Sequence, residues 1–289
     1  MIEIPLFPLR SVLCPGVALP LHIFEERYRL MINRCIERAE PFGVVLLREG
    51  RDVGPLKGQV AAVGTTAAIR RAGTYPDGQL DILTVGQQRF RLEGVDNVSE
   101  PYLVGKVSLL DEPTGSEAEA NDRAQRVGRR FIEYLELLQP EGVEDGPEIE
   151  IEFEVEMDDD ADESGEQADA AIAEPPSASA EGDDGVLGEA TDALVQEMDA
   201  ADLSAEQRRE LLMAAARRLT GTDDPTALSY VLTALIQVDL AARQELLEAP
   251  DTVDRLARID GLLTRESWFL RQGLRPIIVD PGGSLTQRG

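Results

Sequence analysis

Two short apolar runs, residues 4–9 and 17–21, open the chain, and prolines interrupt both of them. Proline lacks an amide donor and fixes its own φ, so these runs predict edge or bulged strands rather than the middle of a sheet. The dipeptide Pro15-Gly16 between them is a strong turn signal. Residues 24–39 then carry apolar side chains at helical spacing, with most charges on the other face, which predicts an amphipathic helix that ends before Pro41.

Strand patterns continue from residue 42 to residue 110. Apolar runs predict strands at 42–47, at 59–71 with a break at Gly64, and at 102–110. Residues 80–85 and, further on, 89–93 alternate with strand period. The sequence Tyr75-Pro76-Asp77-Gly78 predicts a hairpin turn between two of these strands. A chain of about six strands with one interposed helix indicates a small mixed or closed sheet.

The last third of the chain has a helical pattern. Apolar residues recur at intervals of three and four, which predicts helices at 118–138, 204–219, 224–236, 239–247 and 251–270. Asp224-Pro225 supplies an N-cap followed by proline at the first helical position. These helices would form a small antiparallel bundle beside the sheet.

The negative charge is concentrated in one segment. The formal net charge is −27, and 25 of the 55 acidic residues lie between residues 139 and 207, where there is no lysine or arginine. Such a composition buries too little apolar surface to offset its ordering entropy, so most of residues 141–203 is predicted to be disordered. The remainder is nearly neutral and lacks the basic footprint of a nucleic-acid-binding protein.

One piece of the acidic segment has strand periodicity. Residues 148–157 alternate strictly between glutamate and an apolar residue. Five glutamates on one face repel one another, so one interpretation is an extended, solvated segment. The other is a strand that adds to an open sheet edge and stays there as a tethered pseudo-ligand.

Several short motifs resemble the N-terminal, substrate-binding domain of Lon proteases and the free-standing proteins that carry only that domain. They are Ile4-Pro5-Leu6-Phe7-Pro8-Leu9, Phe42-Gly43-Val44-Val45, Val63-Gly64-Thr65, Thr84-Val85-Gly86-Gln87-Gln88-Arg89-Phe90, Pro225-Thr226-Ala227-Leu228-Ser229-Tyr230 and Arg243-Gln244-Glu245-Leu246-Leu247-Glu248. The resemblance covers residues 2–138 and roughly 205–270. It implies a compact barrel like that of PUA domains, and binding of polypeptides.

Together these patterns predict an α+β fold in which a small PUA-like β-barrel precedes an α-helical bundle. The predicted domains are a β-rich lobe at 1–115, a connecting helix at 116–140, an acidic insert at 141–203, a helical bundle at 204–272 and a tail at 273–289. No apolar run approaches the roughly 20 residues that span a bilayer, and no basic leader precedes an apolar segment. A cytoplasmic location is therefore expected.

The residues that could support catalysis are few. There are two lysines and one histidine, His22, and no Gly-x-x-x-x-Gly-Lys-Ser/Thr motif, so the ATPase and Ser-Lys protease modules that follow this domain in Lon proteases have no counterpart here. The run Asp158-Asp159-Asp160 lacks the glycine and terminal glutamate of a calcium loop. The sequence predicts no catalytic residue, no cofactor and no metal site.

The resemblance implies a non-enzymatic module that binds unfolded or extended polypeptides as an adaptor or in protein quality control, with a separate ATP-dependent protease as an open possibility. The binding residues expected near a groove between barrel and bundle are Pro8, Pro15, Leu21, Tyr28 and Phe90. Each of them also fits a core position. The oligomeric state stays open.

Two alternatives use other features. The arginines Arg70, Arg71, Arg89 and Arg91 would form a basic stripe on a strand pair, which is either a solvated face or a contact for RNA or acidic peptides. The third interpretation is a Lon-type peptidase. The family name would suggest this activity, although the sequence lacks the catalytic residues.

Overall fold

The structure is a computed structural model that describes residues 1–48, 60–138, 171–173 and 205–274. It contains two compact units. The first is Met1–Asp111 together with one strand contributed from the acidic insert, and the second begins at Glu112. The proposed domain boundaries stay predictions.

The first unit is a β-barrel with one helix. Its elements are β1 (Ile2–Leu9), β2 (Ala18–Ile23), α1 (Glu26–Arg38), β3 (Phe42–Leu46), β4 (Val63–Thr74), β5 (Leu80–Asp96), β6 (Leu103–Leu109) and β7 (Ala171–Ala173). Strand β5 pairs with β6, β6 with β1, β1 with β3, β3 with β4, and β4 again with β5. These five strands therefore close into a barrel, in which only the β1–β3 pair is parallel. The predicted closed sheet is confirmed.

Strand β5 has two partners along one edge because of its length. Its first part pairs with β2, from Leu80 to Val85, and its last part pairs with β6, from Phe90 to Asp96. The two alternating runs at 80–85 and 89–93 thus belong to one strand of 17 residues. Gly86 continues the ladder between them and faces Ala67 of β4.

The predicted break at Gly64 was wrong. Strand β4 runs through this residue, and a methyl group placed on Gly64 would lie 2.4 Å from the carbonyl oxygen of Val44. Glycine is required here because two strands approach closely, which is a known use of glycine inside strands.

The barrel core is apolar and is covered on one side by α1. This helix buries Tyr28, Met31, Ile32 and Cys35, which confirms its predicted apolar face. Phe7 of β1 contacts Tyr28 edge to face, with the ring centroids 4.3 Å apart. Such a pair adds to the stabilisation that its buried area already provides.

The second unit is helical. Its elements are α2 (Glu117–Leu138), α3 (Ala205–Thr220), α4 (Pro225–Leu235), α5 (Leu240–Leu247) and α6 (Thr252–Arg271). Helix α2 packs against α3, α4 and α6 around one apolar core. The predicted helices are confirmed within one or two residues at most ends, which is the ordinary spread of such assignments.

The acidic segment lies mostly outside the described residues. The prediction of disorder between 141 and 203, and both interpretations of 148–157, fall there apart from β7. The tail after residue 274 falls there as well.

Candidate functional site

The turn at Pro15-Gly16 is held by the motif that contains Gly86. The amide of Val17 donates to the carbonyl oxygen of Cys14 at 3.2 Å, and Gly16 has a positive φ of 75°. These are the marks of a type II turn with proline and glycine at its centre. The Gly16 amide donates to the carbonyl oxygen of Gly86 at 2.8 Å, and the Gly86 amide donates to Val17 at 3.0 Å. The turn is therefore fixed to the middle of β5.

Buried threonines support the same region. Thr65 of β4 donates its hydroxyl to the carbonyl oxygen of Leu13 at 2.7 Å, and Thr84 of β5 donates to Leu19 at 2.8 Å. Both threonines are fully buried, so these bonds satisfy groups that would otherwise be costly to bury. The motifs around residues 63–65 and 84–90 thus have a structural explanation, which is the anchoring of the segment from Leu13 to Leu19.

Four of the five predicted binding residues are buried. The exposed fractions are 3% for Leu21, 2% for Tyr28 and 0% for Phe90, and Pro8 is buried as well. Leu21 and Tyr28 belong to one apolar cluster, whereas Phe90 belongs to another. Pro15 is half-buried in its turn. The structure does not gather the five into one surface, and their role in binding stays a prediction.

The outer edge of β4 pairs with two different strands. Strand β3 pairs with β4 from Thr65 to Ala67, and β7 pairs with it antiparallel from Ala72 to Thr74. Between them, Ala68, Ile69 and Arg71 pair with β5, and the register shifts at Arg70. An extra residue of this kind bends a strand and interrupts its regular pairing.

A polar cluster lies at the end of the β4–β5 hairpin. The Nδ1 atom of His22 lies 2.6 Å from Asp81, its Nε2 atom lies 2.7 Å from the amide oxygen of Gln79, and the hydroxyl of Tyr75 donates to Asp81 at 2.5 Å. This bond to Asp81 raises the pKa of the Tyr75 hydroxyl. A hydrolytic triad needs a nucleophile on the second ring nitrogen, and here an amide takes that place. The cluster therefore joins β2 to the β4–β5 hairpin and does not have the arrangement of a catalytic triad.

The predicted basic stripe was wrong. Arg89 is only 3% exposed, and its guanidinium reaches inward to the carbonyl oxygen of Asp111. Arg70 and Arg71 are exposed, but they lie near the opposite end of β4 from Val63, which faces Arg91. The sequence could not distinguish the buried arginine because the alternation of β5 places Arg89 and Arg91 on the same face, where only one of them is covered.

The helical unit contains a buried arginine that sequence reasoning missed. Arg255 of α6 is 0% exposed and donates to the Leu246 carbonyl at 3.1 Å, to the Ser229 hydroxyl at 3.0 Å and to the Tyr230 hydroxyl at 2.8 Å. The Tyr230 hydroxyl donates in turn to the Glu112 carboxylate, which lies 3.8 Å from the Arg255 guanidinium. The network thus connects α4, α5 and α6 with the segment that precedes α2.

A signal for this network was present in the sequence. Arg255 lies four residues before Ile259 and eight before Leu263, which places it on the apolar face of its own helix. A charge on such a face has to be paired to be buried. Its partners could not be found in the same way, because Tyr230 and Glu112 lie 25 and 143 positions away along the chain. The motifs at 225–230 and 243–248 supply the groups that surround it.

Few other described residues could act as a nucleophile, hold a metal ion or line a small-molecule site. Cys14 and Cys35 are buried thiols, and burial raises the pKa of Cys35 to about 11, so it is protonated at neutral pH. No group of three or more His, Cys, Asp or Glu side chains in the described ranges could hold a metal ion. Two surface depressions of the helical unit have volumes of about 250 and 300 Å³, at or below the lower end of small-molecule sites.

None of the helices in the part of the chain that the structure describes combines the length and the apolar character required to cross a bilayer.

The fold and its motifs define a barrel-and-helix domain whose described side chains are used for packing and backbone support. A comparison with protein families identifies the family. Residues 3–265 match the family described as the ATP-dependent protease La (LON) substrate-binding domain. The chain belongs to this family. The resemblance stated from the sequence motifs is confirmed.

Curated relatives agree with that family. A Lon protease of Parabacteroides distasonis is 34% identical over 110 residues, and one of Escherichia coli K12 is 28% identical over 137 residues. The match covers 38% of this chain and 13% of the first relative, and 47% of this chain and 17% of the second. The chain therefore spans a small part of the length of these proteases.

Two solved structures are similar over most of their length. A Lon N-terminal domain protein from Xanthomonas campestris has 22% identity and a TM-score of 0.47, with 90% of this chain and 97% of that chain covered. The N-terminal domain of a Mycobacterium avium complex Lon protease has 13% identity and a TM-score of 0.49, with 91% and 98% covered.

Proposed function

We propose that this chain is a non-catalytic module that binds unfolded or extended polypeptides, as an adaptor or in protein quality control. The observation that carries the proposal is the family match over residues 3–265, since the family is named for binding the substrates of a protease. A separate ATP-dependent protease that receives the bound polypeptide is part of the same proposal.

The available chemistry supports recognition rather than hydrolysis. Among the described residues, the single histidine is bonded to a carboxylate and an amide, and the buried Cys35 thiol is protonated at neutral pH. What the barrel offers is backbone at a strand edge, which binds extended chains with little dependence on their sequence. A peptidase would require a reactive group that this part of the chain does not present.

The test compares two forms of one polypeptide. Fluorescein-labelled lactalbumin, either folded with its disulfides intact or reduced and carboxymethylated, is titrated with the intact chain, and fluorescence anisotropy is measured at two salt concentrations. We expect binding of the unfolded form alone, with a weak dependence on salt. Equal binding of both forms, or of neither, would overturn the proposal.

Binding of RNA is the alternative outcome of the same titration. A labelled single-stranded RNA is run beside the polypeptides, because contacts to phosphates make affinity fall steeply with salt. The burial of Arg89 removes part of the basic surface that this alternative needs. Salt-sensitive binding of RNA without binding of polypeptide would favour RNA binding as the function of this chain.

The five predicted binding residues are tested by substitution with aspartate. Pro15→Asp places a charge on a half-buried turn, whereas Phe90→Asp places one in a fully buried core position. A contact residue weakens polypeptide binding without a change in Tm, and a core residue lowers both. We expect Phe90→Asp to lower both the affinity for polypeptide and Tm. We expect Pro15→Asp to weaken polypeptide binding without a change in Tm.

A further inference from the structure

One glycine of the helical unit is not required by the packing of the described residues. Gly261 lies in the middle of α6 and is exposed, and a methyl group placed on it would meet no atom of the described chain within 4 Å. Glycine inside a helix is less favourable than alanine, because it loses more conformational freedom on folding. Gly128 of α2 differs, since a methyl group there would lie 3.0 Å from the Cβ atom of Thr220. Folding therefore explains Gly128 but not Gly261.

Gly261 lines the depression of about 300 Å³ that lies between α5 and α6. The apolar part of its lining is Ala242 and Leu246 of α5 and Leu262 of α6. Leu246 belongs to the apolar core of the helical unit, and Ala242 and Leu262 pack against that core. The small residue at position 261 therefore leaves apolar groups accessible in a space that suits an amino-acid side chain rather than a cofactor.

Two arginines of α6 line the same depression. Arg258 and Arg265 are seven residues apart, which is two turns or about 10 Å along the helix axis. Arg258 pairs with Asp254 at 2.7 Å and donates to the backbone carbonyl oxygen of Glu245 at 3.2 Å. Arg265 pairs with Glu266 at 2.8 Å. Both guanidinium charges are therefore compensated by carboxylates of their own helix, so the depression does not call for an acidic partner.

The third charged residue of the lining is Glu245 of α5. Its side chain is exposed, and its carboxylate makes no hydrogen bond or ion pair with the part of the chain that the structure describes. One uncompensated negative charge thus lies beside apolar groups. The matching ligand is an apolar side chain with a lysine or arginine next to it, because opposite charges favour association. The acidic segment between residues 139 and 207 has no lysine or arginine, so it is a poor match for this charge.

We infer that the depression between α5 and α6 binds an apolar side chain of an extended polypeptide that carries lysine or arginine next to that side chain. Gly261 leaves the space for the apolar group, and Glu245 pairs with the base. The inference rests on the proposed function, because it gives polypeptide binding a location on the helices and a side-chain preference.

Filling the depression tests the inference directly. The probe is a short fluorescein-labelled peptide with one leucine followed by one lysine in a background of glycine and serine, and its anisotropy is measured with the intact chain. Gly261→Leu places an apolar side chain where the ligand would bind, so the probe should bind at least tenfold more weakly. Ala214→Leu, at an exposed position of α3, is the matched control and should bind like the parent. Equal binding by the parent and Gly261→Leu would overturn the site.

Thermal unfolding shows that the loss of binding is not a loss of folding. Gly261→Ala should raise Tm by about 1–4 °C, because alanine is the better helix former. It should also weaken probe binding, by less than Gly261→Leu does. The same change at Gly128 crowds Thr220 and should not raise Tm. A fall in Tm for Gly261→Ala would overturn the claim that folding does not require this glycine.

A change of charge on each partner tests the role of Glu245. A probe with glutamine in place of its lysine should bind the parent several-fold more weakly than the original probe. Glu245→Gln should bind the two probes equally, whereas Glu136→Gln, which removes an exposed carboxylate from α2, should keep the preference of the parent. A preference that persists in Glu245→Gln would overturn the pairing with a base.

Reduced and carboxymethylated lactalbumin separates the two proposals. The parent chain is titrated with labelled lactalbumin beside the short probe, and we expect it to bind both. Binding of lactalbumin without binding of the probe would overturn the depression as a site and leave the proposed function standing. Failure to bind either of them would overturn the proposed function as well.

Discussion

The two units of this chain use their polar groups in opposite ways. In the helical unit, backbone amides and carbonyls are bonded within each helix, and a buried side-chain network around Arg255 joins the helices. In the barrel unit, the buried polar side chains Thr65 and Thr84 donate to the backbone carbonyl oxygens of Leu13 and Leu19. The comparison teaches that the barrel uses its buried hydroxyls to hold backbone segments in place, whereas the packing of the helices depends on one buried charge.

The largest effect should come from the centre of the helical network. Arg255→Ala leaves the Tyr230 hydroxyl and the Leu246 carbonyl without their donor, so we expect the free energy of unfolding to fall by about 3–5 kcal/mol. Urea unfolding is followed by circular dichroism at 222 nm and by the fluorescence of Trp268, the single tryptophan, which lies on α6.

The control for this prediction is on the same helix. Arg258→Ala removes a side chain that is 44% exposed and pairs with Asp254 at 2.7 Å, four residues away. Exposed pairs of this kind contribute less than about 1 kcal/mol. Equal losses for the two arginine variants would contradict the account of a charge-dependent helical core.

The next largest effect should come from the barrel. A methyl group on Gly86 would lie 2.2 Å from the carbonyl oxygen of Cys14, so Gly86→Ala should destabilise the barrel by about 1–3 kcal/mol. Gly94→Ala in the same strand meets no atom within 4 Å and should stay within about 0.5 kcal/mol of the parent. Native-state hydrogen exchange of β4 and β5 measures both, and similar effects would show that the Pro15-Gly16 turn does not need Gly86.

A smaller effect is expected at a helix cap. The Asp224 side chain accepts from the amides of Thr226 at 2.8 Å and Ala227 at 3.0 Å, so Asp224→Ala should cost about 1 kcal/mol. Asp223→Ala removes the neighbouring carboxylate and serves as the control, with an expected change within about 0.5 kcal/mol. Trp268 fluorescence in urea measures both variants, and an equal loss at Asp223 would point to net charge instead of capping.

Local patterns predicted the elements of both units better than they predicted the site. The amphipathic helix at 24–39, the turn at Pro15-Gly16 and the cap at Asp224 were all predicted, because each depends on neighbours within a few residues. The role of Gly86 was not, since the carbonyl oxygen that it accommodates belongs to Cys14, 72 positions earlier.

The candidate site was less predictable than the elements. Strand addition was considered for residues 148–157, whose strict alternation is the signal of a strand. These residues lie outside the part of the chain that the structure describes, so this hypothesis stays a prediction. The structure pairs Ala171–Ala173 with β4, and a segment of three residues is too short to have a periodicity that the sequence could reveal.

Hydrogen exchange with bound polypeptide tests the central claim most directly. The intact chain is exchanged with and without reduced and carboxymethylated lactalbumin, and protection is followed by mass spectrometry. The account predicts increased protection in the strands of the barrel between Ile2 and Leu109, because backbone pairing with an extended chain protects the amides of a strand edge. Protection confined to the helices between Ala205 and Arg271, with the strands of the barrel unchanged, would contradict it.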